Sequence, residues 1–138
     1  MMRLDRFPDK DAAIEYLRSE VLRSNMGCAT KKDAEKYLMK HLPKESYYQT
    51  KIINFLKSTY PNAVVWKEAA GAYSQQGIPD VTFIKDGRYY GFEVKRPYFG
   101  VLSKIQEQKI KAIREAGGIA EVVTFPEEVK KIIEEGLR

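Results

Sequence analysis

The spacing of apolar positions changes character near residue 43, and the two stretches predict different architectures. Upstream, apolar residues recur at helical intervals. Ala13, Ile14, Leu17, Val21 and Leu22 share one side of a segment that Asp9 can cap and that ends before Asn25 and Gly27. Thr30 can cap a second helix with Ala34, Tyr37, Leu38 and His41 inward, leaving Lys32, Lys36 and Lys40 as a solvated outer stripe. Residues 1–43 are therefore expected to form a helical N-terminal extension, and 44–138 a second domain.

From Pro43 onward strands alternate with helices. A helix over about residues 44–59 carries Tyr48, Ile52, Phe55, Leu56 and Thr59 on one stripe and stops at Pro61. Ala63 to Trp66 reads as a strand, and Glu68 to Gly77 as a polar, glycine-bearing loop. Val81 to Ile84 and Arg88 to Lys95 read as strands joined at Asp86-Gly87, with Pro97 and Gly100 breaking the chain after them. Ser103 opens a helix that Gly117-Gly118 ends, Ile119 to Phe125 reads as a strand, and Pro126 starts a last helix bearing Val129, Ile132 and Ile133. The expectation is an α/β domain with a mixed sheet flanked by helices.

Composition narrows the class only slightly. The chain has 138 residues, 43% of them hydrophobic and 31% charged, as in a soluble globular domain with a real core. No apolar run approaches the roughly 20 residues of a membrane span. The start of the chain is dense in charge of both signs and lacks the apolar stretch of a signal peptide, so an intracellular, cytoplasmic setting is expected. With a single cysteine, Cys28, there is neither an internal disulfide nor a zinc-type pair. The sole histidine, His41, leaves histidine-based metal and base chemistry poorly supplied. The excess of 24 basic over 19 acidic residues gives a net charge of +5, compatible with a polyanionic partner without requiring one.

The chemistry is concentrated between Gly77 and Lys95. Asp-Gly is a strong signal for a two-residue hairpin, because the type I′ turn needs positive φ at both central positions. If Asp86 and Gly87 form that turn, Lys85 pairs with Arg88, and the register then sets Asp80 opposite Glu93. Directly opposed side chains share a face, with Cβ atoms roughly 4.5–5.5 Å apart. Two carboxylates held that close repel unless a cation lies between them, and a hard divalent ion resolves the conflict. Lys95, two residues beyond Glu93, projects from the same face, while Val81, Phe83, Tyr90, Phe92 and Val94 make the other face apolar. A slip of one residue would lose both arrangements at once. The plain alternative is a solvated strand face with an ordinary ion pair.

Two further residues carry double readings. On the 44–59 helix Glu45 continues a stripe through Gln49, Ile52 and Leu56, so it can aim an oxygen at the metal or its water shell; equally, the helix dipole favours glutamate in a first turn. Ser103 and Gln106 have capping-box spacing, and a glutamine at that helix start can also reach an active-site water or a phosphate. Tyr73 and the segment Arg96-Pro97-Tyr98-Phe99 are expected beside the site, as stacking surfaces for unpaired bases or as packing at the core's edge.

These residues together resemble the VRR-NUC family of the PD-(D/E)XK, restriction-endonuclease-like superfamily. The matching elements are Glu45 with Gln49 and Ile52-Ile53, Trp66-Lys67 and Gly71, Gly77-Ile78-Pro79-Asp80, Gly91-Phe92-Glu93-Val94-Lys95, Ser103 with Gln106, and Gly117-Gly118. The resemblance covers about residues 44–133 and leaves 1–43 outside the minimal family domain. It implies Mg²⁺- or Mn²⁺-dependent hydrolysis of DNA phosphodiesters in a restriction-endonuclease-like fold. Asp80, Glu93 and the Val94 carbonyl would be metal ligands, and Glu45 the helix-borne acid. Lys95 would orient or help deprotonate the attacking water and stabilise charge on the phosphate. Phage-type stand-alone members are homodimers resembling Holliday-junction resolvases, and members fused to other domains act on flaps and crosslink-repair intermediates. A structure-selective endonuclease acting on branched DNA is thus expected. The alternatives are a catalytically silent DNA-binding module, and a partner-docking protein using the fold as scaffold.

Overall fold

The structure, a computed structural model, describes residues 3–23, 29–69 and 76–136. The chain divides into two compact units, Met1–Pro43 with Pro97–Phe99, and Lys44–Arg96 with Gly100–Arg138.

In the first unit a short 3₁₀ turn, Leu4–Arg6, precedes helix α1, Lys10–Tyr16. Asp9 caps α1 as expected, its side chain accepting the Ala12 amide at 2.7 Å. The anticipated continuation through Leu22 is not α-helical. Leu17–Val21 forms a π turn, closed by Leu22 N donating to Leu17 O at 2.7 Å. Helix α2, Lys31–His41, is capped by Thr30, whose hydroxyl accepts the Asp33 amide at 3.1 Å. Ala34 and Leu38 are fully buried with Ala13, Ile14, Leu17 and Leu42, while Lys32, Lys36 and Lys40 are exposed. His41 departs from expectation: it is exposed, not inward. Its ring stacks on Tyr37 at 3.9 Å and its Nδ1 lies 2.9 Å from the Tyr37 carbonyl, so local partners one turn back hold it outside the apolar cluster. Cys28, Asn25 and Gly27 lie outside the described residues.

The second unit is a four-stranded mixed sheet with helices on both faces. Helix α3 (Glu45–Thr59) leads to β1 (Val64–Lys67), β2 (Val81–Lys85) and β3 (Arg88–Val94); α4 (Lys104–Glu115), β4 (Ile119–Val123) and α5 (Pro126–Glu135) follow. The strand order is β1-β2-β3-β4, antiparallel except for the parallel pair β3–β4, which α4 connects. β1 begins one residue later than the apolar run suggests, and Thr59 at the end of α3 is exposed.

The core lies on one face of this sheet. Tyr48, Ile52 and Leu56 of α3 and Val129 and Ile132 of α5 pack on Val81, Phe83, Tyr90, Phe92 and Val94. Strand alternation turns Glu93 to the other face, where it meets Gln106 of α4. The turn after α4 is a Schellman motif. Gly118 N donates to Ile113 O at 2.9 Å, Gly117 N donates to Arg114 O at 3.1 Å, and Gly117 takes φ +94°. Among the described residues no helix is long and apolar enough to cross a membrane.

Candidate active site

The site is built from the hairpin turn outward. Asp86 and Gly87 have φ of 53° and 76°, the two positive values that a type I′ turn requires. Pairing then runs from Lys85↔Arg88 to Val81↔Phe92, and one step further sets Asp80 opposite Glu93. The strand partners of β3 also fix its end. Lys95 N donates to Val123 O at 3.0 Å, so alternation turns the amide and carbonyl of Val94 toward the β2 side. There the Val94 amide donates to Asp80 Oδ2 at 2.9 Å.

Glu93 is almost entirely buried, at 1% exposure. Burial first, and then the charge of Asp80 and the hydrogen bond shared with it, push Glu93 up to about 8, against the lowering influence of Lys95. Two carboxyl groups can hydrogen-bond only through a proton, so at neutral pH the pair holds one. Burying two like charges side by side would cost more than retaining it.

Gln106 forms the cap its spacing suggested, and its side-chain amide also reaches Glu93. Its Oε1 accepts the Ser103 amide at 3.0 Å and its backbone N donates to Ser103 Oγ at 3.2 Å, a complete capping box. A backbone N–H can only donate, so Oε1 must face it. That turns Nε2 to the carboxylate of Glu93, 3.2 and 3.3 Å from its two oxygens. The helix cap and the buried acid are thereby one assembly.

Glu45 occupies the first turn of α3 and is half-buried. Burial raises its pKa, Lys95 and Arg96 lower it, and Asp80 raises it, so it belongs to the same electrostatic cluster. It nevertheless stands off from the acid pair. Among the described residues no three or more His, Cys, Asp or Glu side chains are gathered closely enough to hold a metal. The donors in direct contact on the hairpin are the Asp80 and Glu93 carboxyl groups, with the Val94 carbonyl turned toward the same strand edge.

The glycines of this region are required by contacts as well as by φ. A Cβ on Gly77, at φ +79°, would lie 2.6 Å from Ile105 O at the start of α4. On Gly91 it would lie 2.9 Å from Pro79 Cγ, so the bare strand there admits the proline that delivers Asp80. Gly100 crosses over Lys95, where a Cβ would approach Lys95 Cβ to 2.6 Å. Thr124, which no sequence signal marks, donates its hydroxyl to Lys95 O at 2.8 Å. The backbone of Lys95 is thus fixed on both sides.

Glu68 was also missed as a site neighbour. The β1–β2 register extends to set it opposite Asp80, and its amide donates to Asp80 O at 2.8 Å. Its Oε1 accepts from Thr82 Oγ1 at 3.0 Å and from Trp66 Nε1 at 2.9 Å. Of the aromatics expected near the site, Tyr73 lies outside the described residues, as does Gly71. The Tyr98 hydroxyl is engaged inside the first unit, accepting from Phe7 N at 2.9 Å and facing Leu4 O at 2.9 Å, and Phe99 packs in the same apolar cluster. Packing accounts for both.

No protein-family model matches the chain, and no curated protein matches it. Among solved structures it is similar to one described as a VRR_NUC domain, at 24% identity and a TM-score of 0.50. The likeness covers 65% of this chain and 94% of that one. Over about two-thirds of its length the chain thus has the fold of a VRR_NUC domain.

Proposed function

We propose that this chain is a divalent-metal-dependent deoxyribonuclease that hydrolyses phosphodiester bonds, with branched or junction-containing DNA as its substrate and a homodimer as its working form. The observation that carries the reading is the buried Glu93, set opposite Asp80 on the hairpin and followed two residues later by Lys95.

The residues fit Mg²⁺ or Mn²⁺. The donors are all oxygens, as hard cations prefer, and the pair that retains a proton at neutral pH is one whose repulsion a cation would relieve. Asp80, Glu93 and the Val94 carbonyl would hold the ion, with Glu45 meeting it across water. When bound, such an ion supplies charge neutralisation at the phosphoryl oxygens and a more acidic water.

The chain's own side chains do the rest. Lys95 projects on the face of Glu93 and offers positive charge where the phosphate gains negative charge. Its backbone is held by Thr124 and Val123, which fixes the point from which the side chain departs. Gln106 holds the Glu93 carboxylate in one orientation, and Asp80 is aligned by the Val94 amide. Glu45 adds negative charge at the helix start, where it can orient water.

The test is an incubation with branched, flap and linear DNA, with Mg²⁺ or Mn²⁺, alongside Asp80→Asn and Lys95→Ala. Metal-dependent cleavage lost in both variants is expected. Absence of cleavage with every metal, or cleavage by both variants equal to that of the native chain, overturns the reading.

A further inference from the structure

We propose that Trp66 is a base-stacking platform beside the active site, so that the substrate must present an unpaired base next to the scissile phosphate. The inference rests on the nuclease reading above and narrows its substrate class.

Trp66 pairs with Thr82, and Thr82 is two residues beyond Asp80 on β2. Trp66 and Asp80 are therefore diagonal neighbours on one sheet face, about 7–8 Å apart between strands. This face carries Glu93 on β3 and ends at β1, the edge strand of the sheet. Trp66 is 43% exposed and Val64, next along the same side of β1, is 54% exposed. Trp66 and Val64 thus present adjoining apolar surface on one side of β1.

The ring is also held. Its N–H is bound to Glu68 Oε1, which Thr82 Oγ1 grips in turn, and Thr82 shares a further hydrogen bond with Tyr89. Glu68 itself is tied by its amide to Asp80 O. An exposed ring fixed by such a network loses little rotamer freedom when a second ring settles on it. The same network decides what settles. The Glu68 carboxylate, bound at the indole's edge, disfavours a phosphate on the ring and leaves a neutral π face as the favoured occupant. A base in a duplex has its faces covered by its neighbours, whereas an unpaired base has a face to offer.

Trp66 is the chain's single tryptophan, so emission excited at the red edge of indole absorption, where tyrosine does not absorb, reports this position alone. The experiment titrates the Asp80→Asn chain with a nicked duplex and with the same duplex carrying a short single-stranded gap. Emission is expected to fall with the gapped DNA and to change little with the nicked one. Trp66→Ala should lose roughly 5- to 150-fold in affinity for gapped DNA and less than about twofold for nicked DNA. Trp66→Phe should retain most of the difference. Equal quenching by both DNAs, or equal losses on both, overturns the proposal. So does a change in molecular mass for Trp66→Ala by light scattering with an unchanged gapped-to-nicked ratio, which would make this face an interface between copies. Gap-selective quenching without cleavage of any DNA by the native chain would sink the nuclease reading and leave the stacking site standing. Native cleavage with no gap-selective quenching would do the reverse.

Discussion

Replacing Glu93 with glutamine should stabilise the metal-free protein, and should do so increasingly as pH rises. Glu93 moves from the ordinary 4.5 to about 8 in the folded chain. Between those values the folded protein holds a proton that the unfolded chain has released, so stability falls as pH rises through the window. From 4.5 to pH 7, at about 1.4 kcal/mol per pH unit, the loss is roughly 3 kcal/mol. For a domain of this size that corresponds to a fall of about 10 °C in Tm. Glu93→Gln keeps the carbonyl that Gln106 donates to and gains an amide that can donate to Asp80, so its own melt should lack this component. Glu45 is raised in the same direction but is present in both proteins and cancels in the comparison.

The measurement is thermal unfolding in EDTA at pH 5, 6, 7 and 8, followed by Trp66 emission, which reports the sheet-bearing unit. The variant should gain on the native chain by several degrees between pH 5 and pH 8. A gap between the two proteins that is the same at both ends of the range refutes the argument that burial and Asp80 hold a proton on Glu93.

Divalent metal should reverse that slope: at pH 8 an excess of Mn²⁺ near 100 times its Kd should raise stability by about 2.7 kcal/mol in the native chain and much less in Glu93→Gln. Lys95→Ala should retain this metal-induced shift while losing about 100-fold or more in DNA cleavage; loss of both would make Lys95 a structural residue instead. Gln106→Ala should forfeit the reciprocal half of the capping box, about 0.5–1 kcal/mol, together with activity, since Ser103 still accepts the amide of residue 106. Gln106→Glu keeps the capping oxygen but sets a third acid against Glu93, so it should lose about 10-fold or more in kcat with nearly native stability at pH 5. Native kcat for Gln106→Glu contradicts the role given to its amide. Gly87→Ala meets nothing within 4 Å and should cost only about 1 kcal/mol of turn strain. Gly77→Ala adds a 2.6 Å approach to Ile105 O and should cost clearly more, with a loss of cleavage as α4 shifts. Equal melting temperatures for the two glycine variants would contradict this ranking.

How far the sequence revealed the site depended on whether a local rule set the geometry. The β2–β3 register was legible because Asp86-Gly87 is a turn whose backbone conformation dictates pairing on either side, and the apolar set from Val81 to Val94 agrees with the same alignment. The Ser103–Gln106 cap was legible for the same reason, spacing within one helical turn. His41 was misread because helical periodicity places it on the apolar side but says nothing of the Tyr37 ring and carbonyl that hold it outside. The π turn at Leu17–Val21 was hidden too, since one extra residue per turn barely alters a short apolar pattern. β1 joins β2 through more than a dozen residues with no turn signal to set the pairing, so nothing local announced that Glu68 faces Asp80 or that Trp66 faces Thr82. The consequence is asymmetric. The acids just before β2 and on β3 share a geometry fixed by two turn residues. The indole beside them is placed only when the whole sheet forms, which makes its position the more sensitive reporter of whether β1 has docked.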